Sequence, residues 1–270
     1  MAKGKVVQQR YGSKKRRNFG MQKKLAILGV GSMLFLLAVA GVLFLIYKGL
    51  SRSDFFQITA TNIQGCRRTT KNLILEVSGV DVHSNLLALN LGAVREKIEA
   101  HEWVDSAEVK RVWPNRLNIT IKERVPVALA SLEEGLFYVD QSGVAFAQML
   151  PPEDMDYPVI TGLSREAWPQ TLSGSVLEDA LQFIRQAGQG NSILPKQNIS
   201  ELRVDENGVV LFLVDRPFPI RLGRGAVATK YYWLAKVLYR LYKGKEFAKT
   251  AYIDMEYGRN KVLVGFDGPV

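Results

Sequence analysis

The sequence predicts an α+β protein: an N-terminal transmembrane helix, then a β-α-α-β-β unit, then a C-terminal mixed, mainly antiparallel β domain with two flanking helices. Three observations predict it. Leu25 to Tyr47 is a run of 23 residues without a carboxylate, amine or guanidinium. From Phe56 to Ile121, strand-like alternation, two helical stripes and further alternation follow one another. Pro126 then interrupts the second alternation, and a new series of alternating runs, turns and helical stripes begins beyond it.

The apolar run comes first. As a helix it reaches about 34 Å, enough for a hydrocarbon core of about 30 Å. A cleaved secretory signal has a shorter apolar region ending in small residues, whereas this one leaves through Phe44, Leu45, Ile46, Tyr47 and Lys48. Residues 25–47 are therefore expected to span the membrane and stay as an anchor. Nine Lys or Arg and no acid lie in residues 1–24, against Lys48 and Arg52 just after the span. Basic flanks stay in the cytoplasm, so residues 1–24 read as a cytoplasmic tail and the rest as external.

The same count interprets the basic balance. Of the formal net charge of +10, the tail supplies +9, leaving +1 for the remainder. A nucleic-acid binder keeps its basic footprint on the folded domain, so that class is excluded, and the tail is left to topology and anionic lipid. Cys66 is the only cysteine, which rules out an intrachain disulfide framework.

In the external part, FFQITATNIQGC alternates imperfectly from Phe56 through Ile58, Ala60 and Asn62 and predicts a strand ending at Gly65. Thr69 or Thr70 can cap a helix carrying Leu73, Ile74 and Val77, stopped by Gly79. A second helix from Asn90 carries the narrow stripe Leu91, Val94, Ile98. Val109 to Trp113 reads as a strand and Pro114-Asn115-Arg116 as a turn. Leu117, Ile119 and Ile121 then alternate with Asn118, Thr120 and Lys122, which places the apolar set on one face. Pro126, lacking an N–H, suits a strand leaving one sheet for the next.

Beyond it, ASLEEGLFYVDQSGVAFA reads as a pair of hairpins. Ser175 with Glu178 forms a capping box, followed by the stripe Leu177, Ala180, Leu181, Ile184 up to Gly188. Strands at Ile199–Val204 and Val209–Val214 are joined by Asp205-Glu206-Asn207-Gly208, a strong turn sequence. A last long helix, about Ala226 to Tyr242, buries Val227, Tyr231, Leu234, Val237 or Leu238 and Leu241, with Arg240 and Lys243 placed for its C-terminal dipole. YIDMEY and KVLVGF close the chain as two strands around Gly258-Arg259-Asn260.

No catalytic constellation is expected. His83 and His101 are isolated, read as solvent-exposed, and are too few for a zinc site with one cysteine. Glu133-Glu134 and Glu153-Asp154 lie in turn-like sequence, where charge means solvation. Gly223-x-Gly225-x-x-Ala228 matches a relaxed dinucleotide fingerprint, but a following parallel strand is not expected, and Phe247, Ala248 and Lys249 stand where an acidic ribose partner belongs. The mixture of Lys230, Tyr231, Tyr232, Trp233, Lys236, Tyr239 and Arg240 splits at helical spacing into a buried and a wet face. Tyr232 and Trp233 cannot share the buried stripe with Tyr231. Lys261, Val262, Leu263, Val264 and Phe266 form a terminal edge that is either protected or open to a partner strand.

Val104, Ala107, Val109, Arg111, Trp113-Pro114, Leu117, Ile119, Ile121 and Glu123-Arg124-Val125-Pro126-Val127-Ala128 together resemble the V-x-x-A-x-V-x-R-x-W-P-x-x-L-x-I-x-I-x-E-R-x-P-V-A pattern of the FtsQ/DivIB bacterial cell-division family. FYVDQSG at 137–143 resembles its L-V-D-x-x-G turn, and YPVITG at 157–162 its L-P-x-I-x-G. The resemblance implies a POTRA domain over 54–124, an FtsQ-type β domain over 125–266 and a short tail at 267–270. It implies a non-enzymatic single-pass scaffold of the inner membrane, enriched at the septum, without cofactor, metal or small-molecule substrate. This scaffold would bind FtsB and FtsL by strand augmentation and link early division proteins to septal peptidoglycan synthesis, while the POTRA domain meets other divisome proteins. The partner site would comprise Tyr252, Tyr257, Lys261, Val262, Leu263, Val264 and Phe266 at the edge, with Tyr232 and Trp233 on the adjacent helix. Tyr257 resembles the family's tyrosine before the turn; Gly265-Phe266 stands where the family has Gly-Trp, after a turn one residue longer. A POTRA-bearing envelope assembly or secretion factor is the alternative, and a membrane-tethered cell-wall enzyme the third.

Overall fold

The computed structural model describes residues 19–50, 54–81, 84–151, 156–168, 172–189, 194–257 and 261–267. Contacts divide the chain into two units: Met1–Thr61 with Asp81–Asn90 and Arg111–Leu117, and Asn62–Val80 with Leu91–Lys110 and Asn118–Val270.

In the first unit, α1 (Phe19–Leu50) extends the expected span at both ends. Its stretch Ile27–Leu50 is long and apolar enough to cross a membrane and buries none of its side chains against protein. Phe56 ends a 3-10 turn rather than opening a strand, because its carbonyl accepts from Leu86 N–H. Arg111 Nε and Nη2 donate to the carbonyls of Leu86 and Leu89 at 2.8 and 2.6 Å, which fastens the 84–89 segment. Phe56 meets Trp113 edge to face.

The smaller sheet has the order β1-β3-β2, with β1 Ala60–Gln64, β2 Val104–Val112 and β3 Arg116–Glu123. β2 begins five residues before the sequence signal: Val104 and Ala107 are both buried but lie three apart, so no period of two marks the start of the strand. Leu117, Ile119 and Ile121 are buried as the alternation requires. α2 (Lys71–Ser78) is capped by Thr70, whose hydroxyl accepts from Leu73 N–H, and ends at Gly79 in the left-handed region. α3 (Leu91–Glu99) buries Val94 and Ile98.

The larger sheet has nine described strands in the order β12-β11-β10-β9-β8-β7-β4-β5-β6. They are β4 Pro126–Leu132, β5 Gly135–Asp140, β6 Ala145–Gln148, β7 Val159–Thr161, β8 Ile199–Asp205, β9 Gly208–Leu213, β10 Ile220–Gly223, β11 Thr250–Asp254 and β12 Leu263–Phe266. β4–β7, β7–β8 and β10–β11 pair parallel and the rest antiparallel, so the sheet is mixed and mainly antiparallel, as expected. β7, from the YPVITG segment, has no counterpart among the strands expected from alternation; three residues are too few for a period of two to show. α4 (Val176–Ala187) and α5 (Val227–Gly244) cover one face. Their apolar stripes meet Leu202, Val204, Val209, Leu211, Ile220 and Ile253 in one core.

Candidate partner-binding site

β10, α5 and β11 build the site. Ile220 pairs with Ile253 and Arg221 with Asp254 in parallel register. α5 is therefore a crossover helix, and a parallel strand follows it, contrary to the expectation from sequence. It makes no nucleotide pocket. Gly225 N–H is taken by Asp179 Oδ2 at 2.8 Å, Lys230 Nζ donates to the carbonyls of Leu222 and Arg224, and the Glu256 carboxylate occupies the space beside Gly223. The start of α5 is filled by the protein itself.

β12 pairs antiparallel with β11 and has no described strand on its other side. Ile253 N–H donates to Pro219 O and Met255 N–H to Arg221 O, so those main-chain groups face β10, while Asp267 N–H donates to Lys249 O. Main-chain direction alternates along a strand. Tyr252 and Asp254 therefore face β12, Gly265 and Leu263 face back to them, and Val264 and Phe266 present their N–H and C=O outward. Val262 and Val264 pack on the main core. The Tyr252 ring lies where a Cβ on Gly265 would be, so this glycine admits the ring.

Tyr257 and Phe266 are 63% and 49% exposed and Tyr252 37%, and Lys261 is exposed. Lys261 and Val262 precede the strand proper, which starts at Leu263. The Gly258-Arg259-Asn260 turn lies outside the described residues. On α5, Tyr232 and Trp233 are 54% and 42% exposed beside a buried Tyr231, as their spacing requires. They meet edge to face at 5.7 Å, with Lys236 Nζ over both rings.

The motif residues that carry the resemblance do structural work elsewhere. Glu123 accepts from the N–H groups of Arg67, Arg68 and Thr69 and from Thr69 Oγ1. Partial burial pushes its carboxyl up, but the Thr69 hydroxyl and the three N–H groups outweigh this and leave it at about 2. Arg124 pairs with Asp140 at 2.7 Å. Burial likewise pushes Asp140 up, and the Ser142 hydroxyl, Val144 N–H, Arg124 and Ser142 N–H hold it below the usual carboxylate range. Trp103 packs against Tyr138 and Phe146, and Arg68 lies 4.5 Å over Trp103. Sequence reasoning does not join these residues, since nothing local links positions 68, 103, 124 and 140.

Among the described residues no cluster of His, Cys, Asp and Glu can hold a metal. His101 is half-buried rather than exposed, because its Nδ1 accepts from Trp103 N–H. Glu133 and Glu134 are exposed in the β4–β5 turn. His83, Glu153 and Asp154 lie outside the described residues.

The fold and the edge define a protein with an N-terminal helix long and apolar enough to cross a membrane, a POTRA-like unit and a mixed β domain. Residues 56–124 match the family model for the FtsQ-type POTRA domain, and residues 128–256 that for the C-terminal part of cell division protein FtsQ/DivIB. Relatives named Cell division protein FtsQ include that of Anaeromyxobacter sp. (strain K), 33% identical over 84% of this chain and 77% of the relative. Those of Geotalea daltonii and Geobacter sp. (strain M21) are 29% and 28% identical over 91% and 92% of the chain, and over 88% and 89% of their own lengths. The chain belongs to the FtsQ/DivIB family of bacterial cell-division proteins.

Proposed function

We propose that the protein is a non-enzymatic, single-pass scaffold of the divisome that binds FtsB and FtsL at β12 and links early division proteins to septal peptidoglycan synthesis. In this reading residues 1–24 are cytoplasmic, 25–47 span the inner membrane, and the POTRA domain (54–124) and β domain (125–266) are periplasmic and enriched at the septum. The POTRA domain meets other divisome proteins. The observation that carries the proposal is the edge of β12, which no described strand covers, with the main-chain groups of Val264 and Phe266 facing outward and Tyr252, Tyr257, Lys261, Val262 and Leu263 around it. Backbone pairing supplies affinity there, and pockets for alternate side chains supply selectivity. Tyr232 and Trp233, exposed on the adjacent helix α5, belong to the same partner site in this reading.

Proline substitution tests it. Val264→Pro removes an outward N–H and spares the β11–β12 ladder, since proline is tolerated where an edge N–H faces solvent. FtsB co-purification is expected to fall at least about tenfold, a loss of about 1.4 kcal/mol, with an unchanged circular dichroism spectrum. Undiminished co-purification from a folded variant would remove FtsB from this edge.

A further inference from the structure

We infer, resting on the proposal that α1 spans the membrane, that the tip of the β2–β3 hairpin is a second, shallow membrane attachment. With Phe55 beside it, the tip inserts Val112 and Trp113 into the headgroup region of the phospholipid leaflet from which α1 emerges. Beyond α1, the exposed large apolar side chains described in the first unit are Phe55, Val112 and Trp113, at 66%, 37% and 56%. They come from two places in the chain, and the fold joins them. Phe55 packs edge to face on Phe56 at 5.1 Å, and Phe56 on Trp113 at 6.0 Å. Thr59 N–H donates to Asn115 O in the same turn.

Position and composition identify what covers the patch. Asn85 Nδ2 donates to the carbonyl of Leu50, the last residue of α1, at 3.2 Å, and Arg111 fastens the segment that carries Asn85 to the hairpin. Five residues separate Leu50 from Phe55, so even a fully extended chain carries Phe55 no more than about 18 Å from the end of the span. A soluble partner would have to reach the patch at the membrane surface, whereas lipid is already there. Residues 55–61, 84–90 and 111–117 contain two arginines and no Asp or Glu. Arg111 is used within the fold, and Arg116 is exposed, which suits it to a lipid phosphate. Tryptophan, with an apolar body and one N–H donor, settles at the headgroup level, and surface attachments of this kind bury about 5–10 Å deep.

The test uses the full chain reconstituted in phosphatidylcholine vesicles, with bromine on the acyl chains, near either the headgroup or the chain end, as the quencher of tryptophan. α1 contains no Trp, and the four in the chain are Trp103, Trp113, Trp168 and Trp233, so quenching reports only residues beyond α1. Bromine near the headgroup is expected to remove up to about a quarter of the emission, the share of one tryptophan in four, and bromine near the chain end less. Trp113→Phe is expected to abolish this loss, which assigns it to that ring. Phe55→Asp keeps Trp113 and alters a side chain outside the core; it is expected to reduce the quenching at least about threefold with an unchanged circular dichroism spectrum, because a carboxylate opposes insertion. Equal quenching of the parent and Trp113→Phe would overturn the proposal, as would quenching that Phe55→Asp leaves intact. Flotation with the vesicles at alkaline pH depends on α1 and is read separately. A chain that floats without quenching loses this attachment and keeps the span, and a chain that fails to float loses both.

Discussion

Among single residues, those that form the sequence signature of the chain lie apart from those proposed to act. Glu123 belongs to the family pattern, and its physical role is structural. One carboxylate satisfies three consecutive N–H groups that lead into α2. An amide of the same shape keeps an acceptor but loses the charge that makes these bonds strong. Glu123→Gln is expected to lower stability by about 1–3 kcal/mol, measured by urea denaturation at neutral pH. The pH dependence has a definite sign. Because the folded value lies near 2 against an ordinary 4.5, the charged form stabilises the fold fully above about pH 4.5, and that stabilisation is lost as pH falls towards 2. Asp140, also depressed, acts in the same direction. The Gln variant is expected to show a shallower acid limb than the parent; identical limbs would mean that other carboxylates govern acid unfolding.

Among helices and strands, local chemistry is legible in the sequence and long-range pairing is not. The capping box at the start of α4 illustrates both. Ser175 Oγ accepts from Glu178 N–H as the spacing requires, yet Glu178 Oε2 takes Gly174 N–H rather than that of Ser175, because Ser175 N–H is already bonded to Leu172 O. Ser175→Ala is expected to cost about 1 kcal/mol, read as a lowered thermal midpoint; an unchanged midpoint would show that Glu178 and the helix packing suffice. The Thr70 cap, the Asp205–Gly208 turn and the two helical stripes are readable for the same reason: their signals lie within a few residues. The parallel return of β11 beside β10 escapes a local reading because 26 residues separate the strands and no periodicity encodes which strand a crossover rejoins. The candidate edge is readable as a hairpin, but the outward direction of Val264 is not. It follows only from bonds that Ile253, Met255 and Asp267 make to other strands.

Across the molecule, Trp103 and Arg124 join the smaller sheet to the larger one. β3 ends at Glu123 and β4 begins at Pro126, a connection of only two residues. The second unit reinforces it. Trp103, next to β2, packs into a small core made by Leu129, Tyr138, Ala147 and Met149 on the face of the large sheet away from α4 and α5. Its carbonyl accepts from Arg124 N–H, and the Arg124 side chain reaches Asp140. This is one continuous contact of aromatic packing, hydrogen bond and ion pair, and contacts in one network couple more strongly than their separate sums. Trp103→Ala removes the packed ring and leaves both sheets intact within themselves. The parent is expected to melt in a single calorimetric transition and the variant in two, with the transition of residues 128–256 displaced less than that of residues 56–124. A single transition merely lowered in temperature would mean that Trp103 contributes stability without coupling. Splitting would show that the contacts of Trp103 make residues 56–124 and 128–256 melt cooperatively.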